Sequence, residues 1–472
     1  MSNISLQIAG TALAAQQAGM DTVAQNLANA NTTGYVAERP VLTTNPPANM
    51  LGVGSGVRVV GIAQVPDQLA QTANQQAQGA LSQATALQQV LSQAQTVFPE
   101  PNGQGISSQL ASFWSSWDAI AQNPSNQAPY TQVADMAQGL ASSLNQASAQ
   151  LSQTASDTSS QLSTMVSNDN GILAQIAQIN GQISTVRGGG GSANSLIDQQ
   201  NQLVGQLASD LGATGVTQAD GTMNVLIGGS TVVQGTTADT LSAVPQPPAS
   251  AGGNSTWVIQ NTANNQSLAV TSGTASGYMA ALNGYLPSYQ SQLNTVAQTL
   301  ATTVDTALAG GVTTTTGAAG DPLFVKSGSS GASATTTGIT ATNIAVNPSV
   351  TANPQNTLAV AAASNAGTAS NDTSVAQAIA NLGTPSTSGP STPDQLYTSL
   401  IQGLGTNVQT TNTQVSSETS VANAASQNLQ QIAGVNTDQQ MVSMLSYQHA
   451  YQAAAQVITV TNTMIQSLLQ AV

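Results

Sequence analysis

Apolar side chains recur at every seventh position at both ends of this chain, and no other feature limits its fold so tightly. Toward the C-terminus, Met444, Tyr451, Ile458 and Ile465 repeat at sevens, with Tyr447, Ala454, Thr461 and Leu468 three positions behind them. Toward the N-terminus, Leu6, Leu13, Met20 and Leu27 repeat in the same way, followed by Ala9, Gln16, Val23 and Ala30. Both patterns are a/d-like seams, and a stripe this narrow is buried only against another helix. Gly434 interrupts the chain before the second seam. Thr437 and Gln440 have capping-box spacing and Asp438 puts a negative charge in the first turn, so a helix is expected from about Asp438 to the end. The first seam stops at Asn31-Thr32-Thr33-Gly34. One helix running out and one running back predict an antiparallel terminal pair, with the rest of the chain as an excursion from it. The competing arrangement packs each helix separately on a globular core.

The excursion is long enough for two or three domains, since the chain has 472 residues. Only 5% of them are charged, with 4 Lys+Arg against 18 Asp+Glu and a formal net charge of -14. Nothing basic is present to neutralise phosphates, which argues against nucleic acid or an anionic membrane as partner. Solubility has to come from Gln, Asn, Ser and Thr. The absence of cysteine removes disulfides and thiolate metal sites. No apolar run is long enough to span a bilayer. The first basic residue is Arg39 and the N-terminal segment is amphipathic, so a cleavable signal is not expected there.

After the first helix, prolines at 40, 46 and 47 exclude helix, and LGVGSGVRVVGIAQV reads as a strand or hairpin. Its GVGSGV lacks a following helix and a GK[ST], which argues against a phosphate loop. Helical periods follow over Asp67 to Phe98, Ser107 to Gln122 and about Thr131 to Val186, with Gly171 as a weak point in the third. Trp114 and Trp117 beside Phe113 read as a core anchor rather than a ligand platform. Gly188 to Gly191 make a turn, and Ser195 to Leu211 return as a shorter helix. From about Ala213 to Val270 the pattern becomes β, with turns at Asp220-Gly221 and Gly228-Gly229. Helix resumes from Gly277 to Leu308. Residues 310 to 393 are rich in Thr, Ser, Ala and Gly, a composition compatible with disorder, but DPLFVKSG, TNIAVNPSV and a short helix at Val375 to Leu382 interrupt them. Past Pro393 a last long helix carries Ile401, Val408, Val415, Ala422 and Leu429 at sevens. The fold class is therefore α+β and multidomain: paired terminal helices, a long helical bundle formed by N- and C-terminal parts, and an inserted small β-rich domain.

Residues suited to catalysis are scarce. His449 is the only histidine, which excludes zinc sites of the HExxH type, Ser-His-Asp triads and Cys-His dyads within one subunit. Its plain reading is an interface or exposed helix residue, and Tyr447 and Tyr451 read as packing. The carboxylates are scattered singly and form no recognisable pair. No catalytic, cofactor or metal-binding residue is assigned, and the chain is not expected to be an enzyme. The expected assembly interface is Leu6, Leu13, Met20, Val23 and Leu27 with Met444, Tyr447, Tyr451, Ile458, Ile465 and Leu468. Asp21 and Asp438 are almost the only charges on those two segments, so contacts there rest on apolar groups and neutral hydrogen bonds.

The same termini carry a resemblance. QNLANANTTGY within Ala12 to Tyr35 resembles the N-terminal signature of flagellar rod, hook and hook-associated proteins, and GVNTDQQMVSMLSYQHAYQAAAQVITVTNTMIQSLL resembles their C-terminal one. NSLIDQQNQLVGQLASDLG, GGSTVVQGTTADTL and YLPSYQSQLNTVAQTLATTVDTAL resemble the hook-associated protein 1 family, the junction between hook and filament. The resemblance implies a secreted, extracellular structural protein that forms a ring of identical subunits. The implied partners are the hook protein, the second hook-associated junction protein, an export chaperone and the type III export apparatus. It also implies three domains: 1–35 with 436–472 as the inner tube; 36–211 with 277–308 and 394–435 as a helical bundle; 212–276 with 309–393 as a β-rich outer part and return segment. The alternatives are another axial protein of hook or rod type and, from a different class, a secreted adhesin that binds glycans through the Ser/Thr-rich β region.

Overall fold

The fold is that of a computed structural model, which describes residues 2–32, 34–46, 54–64, 67–100, 105–248, 255–362, 371–384 and 391–470. The LGV of the expected hairpin, at 51–53, lies outside them. The first helix, α1 (Ser2–Ala28), leads through a short turn into an antiparallel ribbon of β1 (Glu38–Thr44) and β2 (Val57–Gln64), bulged at Val41/Leu42. Next comes α2 (Gln68–Thr96), whose first turn is capped by Asp67: its carboxylate accepts from the Ala70 amide at 2.9 Å. Then follow α3 (Ile106–Gln122) and the 62-residue α4 (Gln127–Gly188), which at 1.5 Å per residue spans about 93 Å. Gly171 does not interrupt α4, because helix neighbours on both sides bury Val166, Asp169 and Leu173 and hold the turn.

The Gly188–Gly191 turn returns the chain into α5 (Asn194–Leu211), which stops at Gly212 in the left-handed region (φ +65). Two small antiparallel sheets come next. The first joins β3 (Thr214–Thr217), β4 (Met223–Ile227), β5 (Ser230–Gln234) and β6 (Thr237–Ala238); the second joins β7 (Leu241–Gln246), β8 (Thr256–Asn261) and β9 (Gln266–Leu268). The long helix expected from Gly277 begins earlier, as α6 (Gly273–Ala280), and passes through one π-helical turn, Ala281–Tyr285, into α7 (Leu286–Ala309).

The Thr/Ser/Ala/Gly-rich stretch has regular structure in its described residues. It contains β10 (Gly311–Val312), β11 (Phe324–Lys326), β12 (Ile344–Val346), the short α8 (Pro348–Ala352) and α9 (Pro354–Thr357), β13 (Ala361–Ala362) and α10 (Ser374–Asn381). Here β10 pairs with β13 and β11 with β12, forming sheets separate from the two made by β3–β9. The stretch rests on α4 and α7 through Asn145 Nδ2 to the Ile344 carbonyl (3.0 Å), Ser148 to Thr342 (2.8 Å) and Asp305 Oδ1, which accepts from the amides of Leu323 (2.8 Å) and Phe324 (3.2 Å). Two helices complete the chain: α11 (Pro393–Ala433), opened by a Thr392/Gln395 capping box, and α12 (Thr437–Gln470).

One continuous apolar core joins α2, α3, α4, α7 and α11. Trp117, Phe113 and Tyr130 are fully buried in it, and Trp114 donates its indole N–H to Asp394 at 2.8 Å. The aromatic pair is thus a core anchor, stacked edge-on with Phe113. Midway along α4, between Leu151 and Leu162, the buried positions are Thr154 and Thr158. Ser152, Thr154, Thr158, Ser160 and Ser163 each donate to a carbonyl one turn back.

Both small sheets hang on asparagine side chains that imitate a neighbouring strand, since an amide donates and accepts side by side. The fully buried Asn180 of α4 donates to the carbonyls of Met223 (2.9 Å) and Gly235 (2.6 Å) and accepts from the Met223 amide (2.8 Å) and from Gln200 (2.5 Å). Asn170 brackets Leu241 of β7 in the same way, at 2.9 and 2.8 Å. In the π turn, Asn283 brackets Trp257 of β8, at 2.6 and 2.9 Å. A π turn inserts one residue into the helical count, and here that count brings Asn283 onto the sheet.

Candidate functional site

The terminal helices α1 and α12 lie against each other, antiparallel, as their matching seams predict. Two contacts fix the register. The Tyr447 ring lies on Gly19, where an added Cβ would come within 2.6 Å of it, and Asn26 Nδ2 donates to Gln440 Oε1 at 3.1 Å. A step of seven along α1 matches a step of seven back along α12.

Asn26 gathers the root of the pair. It is 1% exposed; it also donates to the Glu38 carbonyl (2.8 Å), and its Oδ1 accepts from the Glu38 amide and the Tyr35 hydroxyl, each at 2.9 Å. A single side chain thereby joins α1, the following turn, β1 and α12. The Ala37 amide donates to the Ala433 carbonyl (2.9 Å), closing the ribbon onto the end of α11. Burial, then the charges of Glu38 and Asp198, pushes the Tyr35 hydroxyl up to about 12. Asp198 of α5, itself raised to about 6 chiefly by burial, accepts from Gln64 of β2 at 2.7 Å and ties the ribbon to the bundle.

The start of α12 differs from expectation. Asn436, not Thr437, is the cap: its Oδ1 accepts from the Gln439 amide (3.1 Å) and its carbonyl from the Gln440 amide (2.9 Å). Gln440 is engaged by Asn26 instead of reaching back to its own helix terminus.

The expected interface residues divide between the inside and the outside of the pair. Val23 is buried; Leu6, Leu13, Met20, Met444, Tyr447, Ile458 and Ile465 are half-buried; Leu27 and Tyr451 are exposed. The side chain of Leu468 lies outside the described residues. On α1 the buried positions are Ala9, Ala15, Gly19, Thr22, Val23 and Asn26, smaller and more polar than the seven-residue line beside them. Gly19 and Asn26 escaped sequence reasoning because an apolar count scores both as gaps; their seven-residue spacing was the available signal. The outer face of α12 stays apolar: Met441, Val442, Leu445, Val457, Val460 and Met464 are each between 48% and 68% exposed, an arrangement typical of interaction surfaces.

Below this root, between β2, α2, α5 and α11, lies a cavity of about 1020 Å³ whose lining includes the side chains of Gln71, Gln75, Gln430 and Arg187. Among the described residues no three His, Asp or Glu side chains gather to hold a metal, and His449 is exposed on α12.

Comparison with known proteins agrees along the chain. Residues 91–324 match the model described as the flagellar hook-associated protein FlgK helical domain; residues 6–35 match the flagella basal body rod protein model and 421–471 that of the rod FlgEFG protein C-terminal region. Flagellar hook-associated protein 1 of Bacillus subtilis is 26% identical over 99% of this chain and 97% of its own length. The protein of that name from Salmonella typhimurium is 30% identical over 49% of this chain and 43% of its own. The flagellar hook junction protein FlgK from Burkholderia pseudomallei has the same fold, with a TM-score of 0.62 and 17% identity over 77% of this chain and all of that one. The chain belongs to the flagellar hook-associated protein 1, or FlgK, family, structural proteins of the bacterial flagellum.

Proposed function

We propose that the chain assembles as a ring at the tip of the hook and forms the hook–filament junction on which the filament grows, acting by assembly and not by catalysis. The observation that carries this reading is the α1–α12 pair, whose inner seam is closed by Gly19, Asn26, Tyr447 and Gln440 while its outer face keeps a row of exposed apolar residues. Burying that row against the same pair of a neighbouring copy releases roughly 25 cal/mol per Å². In this reading Leu27 and Tyr451, exposed in the single chain, contact neighbours, and Leu6, Leu13, Met20, Met444, Ile458 and Ile465 serve both surfaces. Residues 1–35 with 436–472 form the inner tube, the helical bundle surrounds it, and the β-rich part lies farther out. The partners are further copies of the chain, the hook protein and the second junction protein, reached through an export chaperone and the type III apparatus.

Removing the protein and imaging the flagella tests this. The expected result is hooks without filaments and unpolymerised flagellin in the medium, restored by the full-length chain but not by one ending at 434. Missing hooks would assign the chain to the hook or rod; normal filaments would overturn the junction role.

A further inference from the structure

Near the middle of the molecule two carboxyl groups meet inside the protein. Asp169 of α4 is 1% exposed and is hydrogen-bonded to Asp210 of α5. Two carboxylates cannot hydrogen-bond to each other unless one carries a proton, so Asp169 donates and Asp210 accepts. Asp169 Oδ2 is buried and receives no hydrogen bond from a donor among the described residues, so a negative charge there goes uncompensated. The groups around the pair give no relief. From α6, Tyr278 is the ionisable neighbour of Asp210 and is itself raised by burial and by that carboxylate. Among the described residues no cation contributes to the shift of either carboxyl.

The position of the pair gives the proton a structural consequence. Asp169 directly precedes Asn170, whose side chain holds Leu241 and with it the sheet β7–β9. Asp210 lies beside the turn where Gly212 and Gly273 pass in close contact: a Cβ on Gly273 would fall 2.7 Å from the Asp210 carbonyl. The carboxyl pair therefore joins α4, α5 and the start of α6 at the place where the sheet is attached.

We propose that Asp169 and Asp210 form a proton lock: one shared proton holds α5 to α4, and its removal by hydroxide loosens α5 and the sheet suspended from Asn170. The proton leaves as water, and two facing carboxylates remain in a space with no counter-charge. Burial, reinforced by Asp210, pushes Asp169 up to about 8, so the lock is closed in acid and at neutrality and opens on the alkaline side. The inference does not depend on the assembly reading.

Hydrogen exchange of the full-length chain at pH 6 and pH 9 tests it. The Leu241 amide, bonded to Asn170, is read against the Met223 amide, bonded to Asn180 about three helical turns further along α4; their ratio cancels the intrinsic effect of pH on exchange. Relative protection of Leu241 is expected to fall ~10-fold at pH 9, one unit above the lock's midpoint. In Asp169→Asn, which keeps a donor toward Asp210 and has nothing to ionise, the ratio should change less than about twofold over the same range. An unchanged ratio in the parent chain, or an equal fall in Asp169→Asn, overturns the lock. Should that variant fail to fold, Asp210→Asn removes the carboxylate that helps to raise Asp169 and should move the fall in protection to lower pH; an unmoved fall overturns the lock. Independently, a protonated carboxyl stretch should appear in the infrared difference between parent and variant at pH 6 and vanish at pH 9; its absence at pH 6 also overturns the proposal.

Discussion

Gly19 offers the Tyr447 ring a bare stretch of backbone, and any side chain there displaces the ring. The ring is only half-buried and belongs to neither the bundle nor its core, so Gly19→Ala should loosen the terminal pair without disturbing the bundle. Limited proteolysis should then cut within 437–470 several-fold faster, with an unchanged unfolding midpoint for the core. Asn180 is the opposite case. It is fully buried and makes four hydrogen bonds, so Asn180→Ala leaves the Met223 amide and two carbonyls unpartnered. A loss of about 3 kcal/mol is expected in denaturant unfolding; a loss below 1 kcal/mol would mean that water replaces the amide. Asp305 gives a pH signature. Burial raises it to about 7 despite the two amides it accepts. An acid whose folded value lies above its unfolded value near 4 contributes fully below the lower value, loses that contribution as pH rises toward 7, and is flat beyond. The urea midpoint of the parent should therefore fall between pH 5 and pH 7.5, and Asp305→Asn should make that fall shallower, the remainder belonging to the other raised carboxyls, Asp169 and Asp198.

Among the elements, legibility followed repetition. The seams at Leu6–Leu27 and Met444–Ile465 announced two helices that need each other, and the sevens from Ile401 onward announced α11; each records a stripe facing a partner. The β segment was legible from Asp220-Gly221 and Gly228-Gly229, because only a few residue types turn a chain so tightly. What attaches that segment to α4 was not legible: Asn170, Asn180 and Asn283 act through single amides that have no period. Composition alone carried no sign of the order in the described part of 310–393, since Asp305, Asn145 and Ser148 supply it from other helices. The acidic residues looked solitary for a related reason, as Asp169 and Asp210 are far apart in sequence and meet only when α4 and α5 pack. The terminal pair rests on contacts outside the main core, which contains no residue of α1 or α12. Deleting 437–470 should accordingly leave the bundle's unfolding midpoint within a few degrees of the parent while abolishing assembly. A large drop would mean that α12 supports the bundle.

Over the whole molecule, the shortage of charged side chains shapes behaviour in solution. With 5% charged residues, and Asp21 and Asp438 nearly alone on the terminal segments, there is little for salt to screen. Assembly followed by light scattering should vary less than about threefold between 50 and 500 mM salt; a steep loss would show that ion pairs hold the subunits together.

The long helix α4 adds a property of another kind. Its ends are clamped by aliphatic and aromatic packing, while its middle buries threonines and carries hydroxyls that return to their own backbone. Such back-bonding softens a helix locally. A torque applied across the molecule should therefore be taken up as curvature where α4 buries threonines in place of aliphatic side chains, between about residues 152 and 163, like the working section of a leaf spring.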